Sequence, residues 1–211
     1  MRSALALLLG GCAAAGGAST PDYAALEIEG WTVRAHRALL SPGSAAGPPA
    51  LRMLEHRLRE LTWALPPAAR ARLLEVPIRL GLDDGLSPLA EYRPDAKEVV
   101  IGSAARFLRG AREQPALLLH EFAHAYHDRV LGFEHGGLRR AYAAAKASGA
   151  YASVLRADGS MEAHYALKDE REYFAEGTEA YFSVNDFYPF TRAELERHDP
   201  RLFKLLGELW R

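Results

Sequence analysis

The chain has 211 residues, 49 % of them hydrophobic, and 26 Lys and Arg set against 27 Asp and Glu. This length suits one compact domain with a short tail, and the balanced charge, with no dense basic run, argues against nucleic acid as the main partner. The only cysteine is Cys12, so the folded part is expected to use neither a disulfide nor thiol chemistry.

In chain order, Met1-Arg2-Ser3 is a minimal basic start, followed by the apolar run Ala4–Leu9 and then Gly10-Gly11-Cys12. The layout is that of an export signal, too short to cross a bilayer as a stable helix. Leu9-Gly10-Gly11-Cys12 resembles the bacterial lipobox, whose cysteine is lipidated and becomes the mature N-terminus. Residues 1–12 are therefore read as signal and lipobox, 13–21 as a flexible small-residue tether, and 22–211 as the folded domain. The expected location is the cell envelope, with a membrane anchor on Cys12. An ordinary signal peptide with an incidental cysteine is the competing reading.

Ala25–Ala35 alternates loosely and includes Ile28, Trp31 and Val33, which predicts a strand or hairpin. Residues 41–49 read as a Gly/Pro/Ala loop. Leu51, Leu54, Leu58 and Leu61 fall at helical spacing and predict a core helix over 51–65. Residues 76–80 and 98–101 read as strands. A helix follows, with Pro115 suited to its first position and Gly132 to the position just past its end. Leu117, Leu118, Phe122, Ala125 and Val130 make most of that helix apolar. Asp169 is a plausible cap for another helix over 170–182, Thr191 with Glu194 forms a capping box, and Asp199-Pro200 opens a last helix. A small mixed sheet backed by helices is an α+β arrangement.

Within the apolar helix lies His120-Glu121-Phe122-Ala123-His124, an H-E-x-x-H motif. Four residues are close to one helical turn, so both imidazoles face the same side and can converge on one metal ion. Glu121 stands beside the first of them, placed to take a proton from water activated by the metal. Two core histidines held by hydrogen bonds are the bland alternative, and the glutamate between them at this spacing argues against it. Such a site needs a further protein ligand. His127 shares the face of His120, yet seven residues of helix separate their backbones by roughly 10 Å, too far to meet at one ion. The H-x-x-G-x-x-H extension of metzincins is absent, because His127 and Val130 occupy those positions. The best source is the later helix, where Glu172, Glu176 and Glu179 fall at i, i+4 and i+7 on one stripe. Read blandly, that stripe is a solvated face and Glu172 the third residue of a capping box with Asp169.

H-E-x-x-H followed by E-x-x-x-[D/E] on a later helix resembles the gluzincin metallopeptidases. The sequence is more closely similar to the catalytic domains of the anthrax lethal factor type and their bacterial relatives, on HEFAH, Tyr165 seven residues before Glu172, the EYFAE run and the NDFYPF block. The resemblance covers roughly residues 95–190. It implies a zincin-like single domain with one Zn2+ held by His120, His124 and Glu172. It further implies Glu121 as general base, Tyr165 as the group that steadies the oxyanion, and Glu176 as the carboxylate that orients a ligand histidine. The implied activity is hydrolysis of a peptide or protein substrate by an exported, lipid-anchored, monomeric zinc metallopeptidase. The alternative is a catalytically inactive lipoprotein that keeps the fold to bind a peptide or protein partner.

Overall fold

The computed structural model describes residues 22–83 and 88–211. The signal, tether and Cys12 expectations lie outside the described residues. No helix among them is long and apolar enough to cross a membrane.

The expected strand or hairpin at the start is a hairpin, β1 (Tyr23–Ile28) and β2 (Trp31–His36), paired antiparallel from Tyr23↔His36 to Ile28↔Trp31. Glu29 and Gly30 make its two-residue turn, with φ of 52° and 88°. Positive φ at both central positions is what a tight hairpin turn demands, and glycine accepts it without strain. The sheet continues with β3 (Ile78–Leu80), β4 (Glu91–Arg93) and β5 (Glu98–Ile101), in the order β1-β2-β3-β5-β4. The β2/β3 and β3/β5 pairs are parallel and β4/β5 is antiparallel, so β4 forms one edge.

Alternation along the strands sorts the two faces. Leu26, Ile28, Val33, Ile78, Leu80, Val99 and Ile101 point into the core, while Arg34 and Arg79 pair with Glu98 on the other side. Among the described residues, eight α-helices complete this mixed α+β domain. Helix α1 (Gly47–Ala64) starts four residues earlier than its leucine pattern predicts, because the prolines of the supposed loop occupy its first turn, where a missing N–H costs nothing. It buries Ala50, Leu54, Leu58 and Leu61. Helix α2 (Pro67–Leu73) follows, and the Leu73 carbonyl accepts a 3.0 Å bond from the buried Trp31 indole.

After α3 (Ala104–Glu113) comes the motif helix α4 (Leu117–Tyr126), which continues as a wider π turn over His127–Leu131 and stops at Gly132. Pro115 is not its first residue. It sits in the tight turn between α3 and α4, and the helix begins two residues later. Phe122 in α4 is wholly buried against Trp31, ring centres 5.6 Å apart, which anchors the motif helix to the sheet. Beyond it run α5 (Gly136–Ser148), the short pair β6 (Val154–Leu155) and β7 (Met161–Glu162), and helices α6 (Glu170–Phe182), α7 (Arg192–His198) and α8 (Pro200–Leu209).

Helix α6 lies alongside α4, and the chain's end locks the two together. Trp210 stacks on Tyr126 of α4 at 4.1 Å and on Phe174 of α6 at 5.7 Å, and its indole donates to Thr178 Oγ1 at 3.1 Å. Gly177 permits close contact with α8, since a Cβ there would meet Leu202 at 2.5 Å. The NDFYPF block braces the same helix from outside. Asn185 is buried, donates from Nδ2 to the Glu176 carbonyl at 2.9 Å, and accepts at Oδ1 from the Phe187 amide.

Candidate metal centre

Asp169 caps α6 by accepting from the amides of Arg171 and Glu172 at 2.9 and 3.0 Å. The cap sets the helix start, and the Glu172 side chain does not return to it. Glu172 instead crosses to α4, where its Oε2 lies 3.0 Å from His120 Nε2 and 3.2 Å from His124 Nε2. The two imidazole rings meet edge to face at 4.7 Å. All three ligating atoms lie within 4.8 Å of one another.

The donor set fits zinc. Ligands at about 2.0–2.1 Å in a tetrahedron stand about 3.3 Å apart, close to the spacings found. Tautomers point the same way. His120 Nδ1 faces Glu179 Oε1 at 2.6 Å, so that nitrogen carries the hydrogen and, in the neutral ring, Nε2 presents a lone pair to the Glu172 oxygen. Two lone pairs at 3.0 Å repel unless a cation lies between them. The local field supplies that demand. Burial works against a charged His120, yet hydrogen bonds to Glu172 and Glu179 outweigh it and hold its pKa well above the ordinary value. Burial likewise disfavours Glu172 as an anion, but His120, His124 and Lys168 hold its carboxyl far below the usual range. A field that favours a proton this strongly also favours a divalent metal ion.

Glu121 is buried beside this cluster, and its Oε2 accepts a 2.6 Å bond from the Tyr92 amide of the edge strand β4. One oxygen is thereby fixed, leaving the other for a water. Burial pushes its carboxyl above the ordinary range, against the pull of both histidines, a direction that suits a group asked to accept and return a proton. The cluster opens into a cleft of about 570 Å³ whose walls include Ala90, Tyr92, Tyr165, Lys168 and Phe187. Tyr165 is 43 % exposed, its ring 6.5 Å from that of His120, so its hydroxyl is accessible from the cleft.

No family model and no curated protein matches the chain. Among solved structures, the Pro-Pro endopeptidase PPEP-2 from Paenibacillus alvei is similar over 84 % of this chain and 96 % of its own, with 18 % identity and a TM-score of 0.51. The fold is zincin-like. In this zincin-like domain His120, Glu121, His124, Glu172 and Tyr165 line one cleft, and His127 stands apart from it. His127 is wholly buried between Phe133 and Phe174, each 5.2 Å away, with neither ring nitrogen hydrogen-bonded.

Glu176 departs from its expected position. The carboxylate bonded to His120 Nδ1 is Glu179, while Glu176 Oε1 lies 3.6 Å away and its Oε2 has no hydrogen-bond partner. Both carboxyls are pushed up, by burial first and Glu176 also by the charge of Glu179. One proton in this pair relieves the repulsion, and it belongs on Glu176, because Glu179 is the anion that His120 stabilises. His120 Nδ1, Glu176 and Glu179 also form a group of potential metal donors. However, the 2.6 Å contact between His120 and Glu179 is a hydrogen bond, too short for two ligands sharing an ion. Sequence reasoning placed Glu179 on the acidic stripe without a role. It gave no role to Lys168 or to the Tyr92 amide.

Proposed function

We propose that this chain is a zinc metalloendopeptidase of the gluzincin kind, exported and held at the cell envelope by a lipid on Cys12, acting as a monomer on peptide or protein substrates. The observation that carries the catalytic part is the convergence of His120, His124 and Glu172 beside a buried glutamate at the floor of an open cleft. Export and anchoring rest on the pattern of residues 1–12.

Bound by those three side chains, zinc would supply a Lewis acid and lower the pKa of water to about 7. The remaining work falls to the protein. Glu121, steadied by the Tyr92 amide, removes the proton from water as its oxygen attacks the peptide carbonyl. Tyr165 donates its hydroxyl proton in a hydrogen bond to the developing oxyanion. Glu121 then passes the proton to the leaving amine as the C–N bond breaks, which regenerates the carboxylate. Glu179 holds the His120 ring in one orientation and tautomer throughout.

Digestion of a diverse peptide library with zinc-loaded protein, read by mass spectrometry, tests the activity. Pro-Pro peptides belong in that library, since the structural neighbour is a Pro-Pro endopeptidase by name. Cleavage by the wild type and none by Glu121→Gln supports the assignment. A wild type that binds zinc and cleaves nothing would leave the chain as a binding protein.

A further inference from the structure

Lys168 is a charged group in the cleft that the reaction above does not use. Its Nζ donates to the Tyr165 hydroxyl oxygen at 2.7 Å and to Glu172 Oε1 at 2.6 Å, and it lies 4.8 Å from the centre of the Tyr165 ring. The side chain is 53 % exposed, and an ordinary solvent-facing ion pair of this spacing contributes little. Two features separate it from such a pair. Glu172 is buried, and its other oxygen, Oε2, is the one facing both histidines, so Lys168 takes up Oε1 and leaves a single oxygen for the metal. Moreover, an ammonium only donates, so the Tyr165 oxygen must accept, and the phenolic proton is left free to point elsewhere.

The local backbone fixes this arrangement. Buried His164 accepts the Ala166 amide at Nδ1, 3.1 Å, opening a single 3-10 turn over Tyr165–Leu167. The turn closes with Leu167 N to His164 O and Lys168 N to Tyr165 O, both 3.0 Å. Eclipsed i, i+3 side chains are the signature of that geometry, and they bring Tyr165 and Lys168 together.

We propose that Lys168 is a positioning residue, which ties the Tyr165 hydroxyl to the metal-ligating Glu172 and so presents the Tyr165 proton to the oxyanion. The inference rests on the peptidase reading of the cleft. A donated hydrogen bond from an ammonium polarises the hydroxyl and makes it a stronger donor in turn.

The test uses the zinc-loaded full chain with Lys168→Met, Lys168→Arg, Tyr165→Phe and the double variant Lys168→Met/Tyr165→Phe. Three quantities are measured: kcat and KM on a cleaved peptide, the Kd for acetohydroxamate, and the zinc Kd by chelator competition. Lys168→Met should lower kcat about tenfold or more while KM changes by less than about twofold. Lys168→Arg, which can still donate to both oxygens, should recover most of that loss. In the Tyr165→Phe background Lys168→Met should cost less than about twofold, because the hydroxyl it serves is gone. Acetohydroxamate affinity should show the same non-additive pattern, and the loss in kcat should persist at saturating zinc, whatever Lys168→Met costs in zinc affinity through its bond to Glu172. Additive losses in the double variant, or a loss of activity that simply follows loss of zinc, overturn the inference. If no peptide is cleaved but hydroxamate binding shows the coupling, the peptidase reading falls and this one stands. If peptides are cleaved and the coupling is absent, this inference falls alone.

Discussion

Glu179 and Glu176 sit three residues apart on one buried helix, and the structure assigns them unequal work. The sharpest perturbation is to neutralise each in turn, Glu179→Gln and Glu176→Gln, leaving size and shape almost unchanged. Glu179 accepts a 2.6 Å charge-assisted bond from His120 Nδ1, whereas Glu176 is 3.6 Å from that nitrogen and burial pushes its carboxyl well above the ordinary range. Loss of a carboxylate that orients a ligand histidine typically costs 10- to 100-fold in metal affinity, or about 1.4–2.7 kcal/mol. Glu179→Gln is expected near the lower end, since the amide oxygen can still accept the bond, and Glu179→Ala near the upper. Glu176→Gln replaces one neutral group by another and should move the zinc Kd by less than about threefold. Competition with a chelator of known affinity at pH 7 reads all three. A Glu176→Gln variant that loses as much zinc affinity as Glu179→Gln would refute the assignment and restore Glu176 as the orienting carboxylate.

Glu172→Ala should strip most of the metal at micromolar zinc, measured as zinc per chain after gel filtration. Tyr165→Phe should lower kcat roughly ten- to a thousand-fold with zinc content unchanged, measured by steady-state kinetics. Tyr173 would be a poor control for it, because its hydroxyl is buried and donates to Asp199 at 2.6 Å. Tyr173→Phe is expected to lower stability by about 1–3 kcal/mol in a urea melt without changing kcat. His127→Phe should raise stability and flatten its acid dependence. Burial depresses the His127 pKa to about 4 from the ordinary value of 6.5, so the unfolded chain takes up a proton over that interval and the folded chain does not. His127 therefore adds no pH-dependent penalty above about pH 6.5 and destabilises the fold progressively as pH falls toward 4, on the order of 1–3 kcal/mol. Melting curves at pH 7 and pH 5 test this, and equal pH dependence in wild type and variant would contradict it.

How much was legible in the sequence follows from how local each feature is. The H-E-x-x-H turn, the Asp169 cap and the Thr191–Glu194 capping box are settled within a few residues, and the structure contains each of them. Leucine spacing placed the body of α1 but not its start, since prolines look alike in a loop and in a first helical turn. The choice between Glu176 and Glu179 was not legible. Both lie on the stripe of Glu172, and which one reaches His120 depends on how α6 packs against α4, a matter settled with the help of Trp210 and Leu202, which press on α6 from far along the chain. Lys168 escaped notice for a related reason. Its partners are close in sequence, but only the cleft gives their meeting any chemical weight.

His120 could hold a metal at either ring nitrogen, with His124 and Glu172 on one side or with Glu176 and Glu179 on the other. Anomalous scattering at the zinc edge from crystals of the zinc-loaded protein distinguishes them. A single peak is expected within about 2.0–2.2 Å of His120 Nε2, His124 Nε2 and one oxygen of Glu172, with Lys168 still on the other oxygen. A peak on the opposite side of the ring, among His120 Nδ1, Glu176 and Glu179, or no peak at full zinc loading, would contradict it.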